Sequence, residues 1–186
     1  RTGMSYFEIG ITSGSQERVS KMRRGYTLKT VLKNCELLAK AGFKAQVSVN
    51  YSFNVIDERP ETIRQTVAYH RELEKIFGAD IVEPSIFFIG LQPHTLLEEY
   101  GLEKGLLKPG YNPMSLMPWT ARKLLWNPEP MGKEFGRICL EAFDTNPNDF
   151  GRTVMNLLER DYGISSLNEA LTVEAKNRPV LAKNLR

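Results

Sequence analysis

The sequence is poor in the residues that build covalent cross-links and metal centres. Its 186 residues include only two cysteines, Cys35 and Cys139, and two histidines, His70 and His94. The cysteines lie more than a hundred residues apart. This separation excludes a disulfide scaffold, a CxxC redox pair and a Cys-rich metal site contained in this chain. We expect no zinc site, because a tetrahedral one would need all four side chains to converge.

Charge of one sign and long apolar runs are also scarce. The net charge is +3, from 25 Lys and Arg against 22 Asp and Glu, and basic residues gather only at 176–186. Nucleic-acid-binding proteins concentrate basic residues in a stripe, so we expect no nucleic-acid partner. No apolar run reaches the roughly 20 residues of a membrane-spanning helix, so no membrane partner is expected either. The start shows no signal-peptide pattern, and we expect a cytoplasmic globular protein.

Strand patterns recur three times in the first half of the sequence. We expect strands in three runs rich in β-forming residues: 7–12, 45–53 and 79–91. The second run alternates apolar and polar residues with the period of a half-buried strand. Each run is followed by a helical pattern at a spacing typical of βα units. The first half therefore predicts an α/β fold with a parallel sheet.

Helix patterns separate these strands. Thr27 is the expected N-cap of a helix that ends at Gly42, and Pro60 suits the first turn of the next helix. A short helix is expected from Leu96 to Tyr100. Cys35 and His70 lie on the apolar faces of the first two helices, so we interpret both as packed core side chains.

The second half changes character. Residues 108–130 carry five prolines, with Trp119 and Trp126 between them, and indicate an irregular connection. Helices are predicted from Gly132 to Phe143, from an Asn146 cap to Tyr162, and over 167–175. We therefore divide the chain into 1–107, the βα units, and 108–186, the connection and a helical extension.

Segments in the first half carry a family resemblance. In order they are GITSGSQ (10–16), MRRGYT (22–27), LLAKAGF (37–43), NVIDE with IRQT (54–58 and 63–66), and PHTLLEE (93–99). They resemble the segments G-[IV]-[EQ]-S-G-S, M-x-[RK]-G-[YT]-T, L-L-x-x-A-G-I, G-[FL]-P-G-E-T…I-x-x-T and P-G-T-P-L-x-E-E of radical S-adenosylmethionine enzymes. The resemblance covers roughly residues 5–107. It implies a partial (β/α)6 barrel followed by a helical C-terminal extension.

The resemblance also implies a set of S-adenosylmethionine contacts. Ser13 and Ser15 would hold the ribose and methionyl end of the cofactor. Arg24 would be a partner for its carboxylate. The strand ends at Asn50 and Phe88 would line the adenine.

The candidates on the substrate side are Asn54, Glu58 and His94, with a surface-loop histidine as the alternative interpretation of His94. Three departures accompany the resemblance: Thr12 replaces a Glu or Gln, Asn54 and Asp57 replace the two glycines of G-x-P-G, and His94 replaces the glycine of P-G-T. Asn and Asp tolerate the left-handed conformation best among non-glycine residues. We therefore expect the 54–57 turn to be built in another way than in the family.

The largest departure is the missing CxxxCxxC loop, whose three thiolates hold a [4Fe-4S] cluster in these enzymes. Two cysteines on helices cannot replace it. Because the chain also starts without Met, we interpret it as the C-terminal half of such an enzyme, with the cluster bound by the remainder of the same polypeptide. A helical tail favours the cobalamin-binding class over the methylthiotransferases, which end in a small β-rich domain.

Two functional hypotheses remain open at this stage. In the first, the chain is an enzyme fragment, inactive alone, that helps bind S-adenosylmethionine and a small-molecule substrate. In the second, it is a non-catalytic docking module that contacts a protein or RNA through Trp119, Trp126 and the basic tail. For the tryptophans themselves, packing competes with covering an open barrel edge or a cofactor face.

Overall fold

The computed structural model describes residues 3–108, 110 and 125–172 and shows an α/β chain. Its strands are β1 (Tyr6–Thr12), β2 (Gln46–Phe53), β3 (Val82–Gly90) and β4 (Leu125–Trp126). Its helices are α1 (Gln16–Lys21), α2 (Leu28–Lys40), α3 (Pro60–Phe77), α4 (Leu96–Glu103), α5 (Met131–Thr145), α6 (Phe150–Tyr162) and α7 (Leu167–Leu171). None of the helices in these ranges is both long and apolar enough to cross a bilayer.

The sheet has the order β1-β2-β3-β4. Its first three strands are parallel, which confirms the predicted parallel sheet. The fourth runs antiparallel to the end of β3, where Trp126 pairs with Ile89. Sequence patterns predicted no strand here, because two residues are too short to show a period. Trp126 is only 3% exposed and covers this edge of β3, so it packs and offers no docking surface. Trp119 and the basic tail lie outside the described residues.

The predicted helix starts are confirmed at α2 and α3. The Thr27 hydroxyl accepts a hydrogen bond from the Thr30 amide, and Pro60 occupies the first turn of α3. Helix α2 ends before Gly42, whose φ of +80° only glycine adopts readily. Helix α1 was not predicted, because six residues carry too little apolar periodicity.

The start of α6 differs from the prediction. Asn146 precedes a 3-10 turn at Pro147–Asp149, and the α-helix begins at Phe150. The reason is local: the first turn, which begins with Pro147, is a tighter 3-10 turn, as is frequent at the N-terminus of an α-helix. The last predicted helix ends at Leu171, earlier than expected, because Thr172 follows it in an extended conformation. Positions 173–175 lie outside the described residues.

The core lies between the sheet and the helices on one of its faces. Alternate residues of β2 face it and are buried: Val47, Val49, Tyr51 and Phe53. Buried residues of α2, α3, α5 and α6 belong to the same cluster. Cys35 and His70 are among the buried residues of α2 and α3, which confirms their predicted core positions.

The opposite face of the sheet carries polar side chains. In β2 these are Gln46, Ser48, Asn50 and Ser52. Asn50 donates to the Glu8 carboxylate of β1, and the Ser48 and Ser85 hydroxyls lie 3.0 Å apart across β2 and β3. Tyr6 and Phe87 stand on the same face and are 50% and 52% exposed. In the described ranges, the helices of the main core thus cover one face of the sheet and leave the other open.

Candidate functional site

The carboxyl ends of the three parallel strands meet at one edge of the sheet, as they do where α/β proteins bind ligands. The loops that follow them are 13–15, 54–59 and 91–95, which we call the mouth. Four non-glycine residues in or next to these loops have positive φ: Thr12 at the end of β1, and Asn54, Asp57 and His94 in the mouth. Left-handed backbone is thus concentrated where the chain leaves each strand.

Three of these residues stand where the resembling family has glycine. Their φ angles are 51° at Asn54, 55° at Asp57 and 61° at His94. The 54–57 turn thus holds Asn54 and Asp57 in the left-handed region, which these residue types tolerate best after glycine. That the turn is built in another way than in the family stays a prediction. Both side chains are held by partners far along the chain: Asn54 binds Asn127 and Pro128, and Asp57 binds Lys21 and Tyr100.

Thr12 adopts a rarer conformation at the end of β1. Its φ is 69°, and the Ser13 amide donates to the Ile11 carbonyl at 2.8 Å, which closes a three-residue turn. A β-branched residue with positive φ is strained by about 1–3 kcal/mol. The Tyr26 hydroxyl donates to the same carbonyl at 2.6 Å and so anchors the strand end. Strain of this kind collects at binding sites more often than elsewhere.

The Ser13-Gly14-Ser15 loop is docked against α3. The Ser13 hydroxyl accepts from the Ser15 amide at 3.1 Å and lies 3.3 Å from the Thr66 hydroxyl. A Cβ on Gly14 would come within 2.6 Å of the Thr66 Cα, so only glycine fits. The Ser15 hydroxyl is fully buried and has no hydrogen-bond partner among the described residues. The predicted cofactor contacts of Ser13 and Ser15 stay predictions, and both side chains face inward here.

A network of charges connects three elements of the mouth. Glu17 of α1 binds Arg59 at 2.5 Å and Lys21 at 2.9 Å. Lys21 also binds Asp57 at 3.0 Å, and Asp57 accepts from the Tyr100 hydroxyl of α4 at 2.7 Å. The Arg59 hydrogen bond holds the pKa of Glu17 at about 2, although burial opposes it. The Asp57 carboxylate raises the pKa of Tyr100 to about 12.

Beneath this network lies a buried ion pair. Arg18 and Glu58 are 3.5 Å apart, with side chains 0% and 4% exposed. Burial raises the pKa of Glu58, against the attraction of Arg18 and a 2.5 Å hydrogen bond from the Thr62 hydroxyl. No nitrogen of the Arg18 guanidinium has a hydrogen-bond partner in the described part of the chain. Glu58, predicted on the substrate side, thus holds the 54–59 loop to α1 and has little exposed surface for a ligand.

A cleft of about 430 Å³ opens beside the network. Its walls come from the loop after α1, from the 54–59 loop, and from the segment between β3 and α4. It is lined by Lys21, Met22, Arg24, Ile56, Ile89, Gly90, Gln92, Thr95, Leu96 and Leu97. Of the predicted site residues, Arg24 alone lines it. Arg24 is exposed and makes no ion pair with any described residue.

The remaining predicted cofactor residues lie apart from this cleft. Asn50 stands on the open face of the sheet and is bound to Glu8. Phe88 points to the covered face, where its ring lies 6.5 Å from that of Phe135. Strand alternation makes Phe87 the neighbour that faces the open side. A ligand on the open face would therefore meet Phe87 before Phe88.

Two predicted substrate-side residues have clear structural surroundings. The Asn54 amide donates to the Asn127 side chain and the Pro128 carbonyl, both at 2.7 Å. It thereby ties the mouth to the second half of the chain. His94 is exposed, and its backbone amide donates to Glu98 at 2.6 Å. Their predicted ligand contacts are untested.

Sequence reasoning missed two residues that shape the mouth, Lys21 and Tyr100, both of which bind the Asp57 side chain. The ion pair between Glu17 and Lys21 could have been predicted, because the two residues are four apart, a spacing typical of ion pairs on the surface of a helix. No local pattern indicates the contact between Tyr100 and Asp57, which are 43 residues apart.

The described residues do not fit an iron–sulfur cluster. Cys35 is buried, and burial raises the pKa of both Cys35 and Cys139 to about 11, which disfavours the thiolates a cluster needs. Within the described ranges no three His, Cys, Asp or Glu side chains converge in a way that could hold a metal ion. No protein-family model matches the chain, and no curated protein matches it significantly.

Proposed function

We propose that this chain is the ligand-facing half of a barrel enzyme of the radical S-adenosylmethionine type, and that it helps bind S-adenosylmethionine and a small-molecule substrate at the mouth. The observation that carries the proposal is the one-sided sheet. Three parallel strands have helices on one face and polar side chains on the other. A doubly wound sheet has helices on both faces, whereas a βα barrel has helices only on the outer face and encloses the inner face by closing the sheet on itself.

The free edge of the sheet supports the same reading. Strand β1 lies at one end of the strand order and has no further strand beside it in the described ranges. An unpaired edge strand that carries the exposed Tyr6 is an aggregation hazard that a closed barrel removes. We therefore propose that the remainder of the same polypeptide supplies further strands on the β1 side and the cysteines of a [4Fe-4S] cluster.

The conformations of the mouth supply a second line of support. Asn54, Asp57 and His94 hold positive φ at three positions where the resembling family uses glycine. The helical extension formed by α5, α6 and α7 favours the cobalamin-binding class over the methylthiotransferases. The two free cysteines accord with a cytoplasmic location, where thiols stay reduced.

In this proposal the chain binds and orients S-adenosylmethionine and the substrate, and none of its side chains reacts with them. Bound S-adenosylmethionine would supply a 5′-deoxyadenosyl or methyl group. The exposed Arg24 guanidinium would hold its carboxylate at the cleft, since it has no ion-pair partner among the described residues. The strained turn at Thr12 and the charges that join Glu17, Lys21 and Asp57 would hold the shape of the mouth around it.

Equilibrium dialysis of the full chain against labelled S-adenosylmethionine tests this proposal. We expect weak, saturable binding that Arg24→Gln reduces roughly threefold to fivefold, the range of an exposed charge pair. Arg23→Gln is the matched control. It removes the same charge from the neighbouring residue, whose side chain does not line the cleft. Absence of saturable binding, or an equal loss in both variants, contradicts the proposal.

A further inference from the structure

We infer that the cleft of about 430 Å³ at the mouth is a binding site for a ligand with one anionic group on an apolar body. Its size falls within the range of small-molecule sites. It lies at the carboxyl ends of β2 and β3, between elements that the charge network holds together. The inference rests on the chemistry of the two kinds of wall, one cationic and one apolar.

Among the described residues, the cationic wall of the cleft consists of two basic side chains, Lys21 and Arg24. Lys21 is neutralised by Glu17 at 2.9 Å and Asp57 at 3.0 Å; these bonds raise its pKa although burial lowers it. Arg24 makes no ion pair with a described residue. Its planar guanidinium suits a carboxylate, sulfonate or phosphate, which it can bind through two parallel hydrogen bonds.

The apolar wall of the cleft is formed by Ile56, Ile89, Leu96 and Leu97. All of these except Leu96 belong to a small cluster around Leu91, Leu97 and Trp126 that is separate from the main core. Leu96 is 44% exposed, so apolar surface remains open to a ligand. Burial of such surface drives binding, while a few polar groups fix the orientation of the ligand.

Two sources could supply this chemistry. The first is the carboxylate end and adenine of S-adenosylmethionine, and the second is a separate amphipathic substrate acid. Whether the ligand is the cofactor or the substrate depends on the proposed function. The preference of the cleft for an anion on an apolar body depends only on its lining residues.

Fluorescence titration of the full chain with 8-anilinonaphthalene-1-sulfonate, an apolar anion, tests the inference. N-phenyl-1-naphthylamine serves as the neutral probe of similar shape. We expect Arg24→Gln to weaken the anion roughly threefold to fivefold and to leave the neutral probe unchanged. Leu96→Asp should weaken both probes. Arg23→Gln and Leu140→Asp, on exposed sites outside the cleft, should weaken neither.

The outcomes separate the inference from the proposed function. Equal anion affinity in Arg24→Gln and the parent chain overturns the inference, whatever S-adenosylmethionine does. Displacement of the anion by added S-adenosylmethionine assigns the cleft to the cofactor. Arg24-dependent binding of the anion without displacement assigns it to a separate acid. In that last case the inference holds even if the dialysis experiment finds no cofactor binding.

Discussion

The two faces of strand β2 differ in polarity and in what covers them. Val47, Val49 and Tyr51 point to the helices and are fully buried. Ser48, Asn50 and Ser52 alternate with them and point to the other side. There Ser48 is buried beside the Ser85 hydroxyl of β3, and Asn50 donates to Glu8 of β1. One face therefore supplies the free energy of folding, and the other is open to a ligand or to further strands.

The largest expected effect is a difference in the free energy of unfolding between two Phe→Ala variants, one on each face of the sheet. Phe135 is fully buried on the covered side, and its ring stacks on Phe53 with centroids 4.9 Å apart. Phe135→Ala should lower the free energy of unfolding by about 3–5 kcal/mol. Phe87→Ala, on the open face, should lower it by less than about 1 kcal/mol. Urea denaturation followed by circular dichroism measures both, and similar losses would contradict a one-sided core.

A second test concerns how closely α6 approaches the sheet. A Cβ on Gly151 would lie 1.7 Å from the Pro84 carbonyl oxygen, which is backbone and cannot move aside. Gly151→Ala should therefore destabilise the chain by about 1–3 kcal/mol through overpacking. Gly136→Ala is the control in α5, where a Cβ meets nothing within 4 Å. There the higher helix propensity of alanine should add about 0.5–1 kcal/mol. Thermal melts of the two variants should shift in opposite directions.

The smallest expected effect is a pH dependence on the covered side. Burial lowers the pKa of His70 below its usual 6.5, although Glu74, 3.5 Å from its Nε2, opposes this. Its Nδ1 lies 3.2 Å from the Tyr51 hydroxyl, and the charges of Arg71 and Arg152 also disfavour the cation. The unfolded chain thus binds the proton more tightly. Stability should be complete above pH 6.5 and fall below it by at most about 1.4 kcal/mol per pH unit.

Denaturation at several pH values between 5 and 7.5 measures this slope. His70→Gln should flatten it, since the buried imidazole is gone. His94→Gln, at an exposed position of the mouth, should leave it as in the parent chain. A slope that survives in His70→Gln would show that another group is responsible.

Most of the covered face could be predicted from the sequence, because its signals are local. Helical spacing placed Ile63, Val67 and Leu73 on one face of α3, and all are buried. Period-two alternation did the same for β2. The same patterns failed for α1 and β4, whose six and two residues are shorter than the period that would reveal them.

The mouth was harder to predict. Arg24 was named from a motif and does line the cleft, but Ser13 and Ser15, named from the same motif, face inward against α3. A motif gives the order of residues along the chain and leaves open which side chains another element will cover. The pairing of Asn54 with Asn127, 73 residues away, has no local signal at all.

By itself, the sequence determined the alternation of strands and helices, the buried sides of α2, α3 and β2, and the lack of ligands for a metal cluster. Each of these follows from composition or from a period of a few residues. Only the tertiary structure decided which of the basic side chains at the cleft form ion pairs with acidic residues. Lys21 is neutralised by Asp57 across the mouth, whereas Arg24, three residues further on, has no ion-pair partner among the described residues. Ion pairing depends on distances between elements far apart in the chain, and these are set when the helices pack onto the sheet.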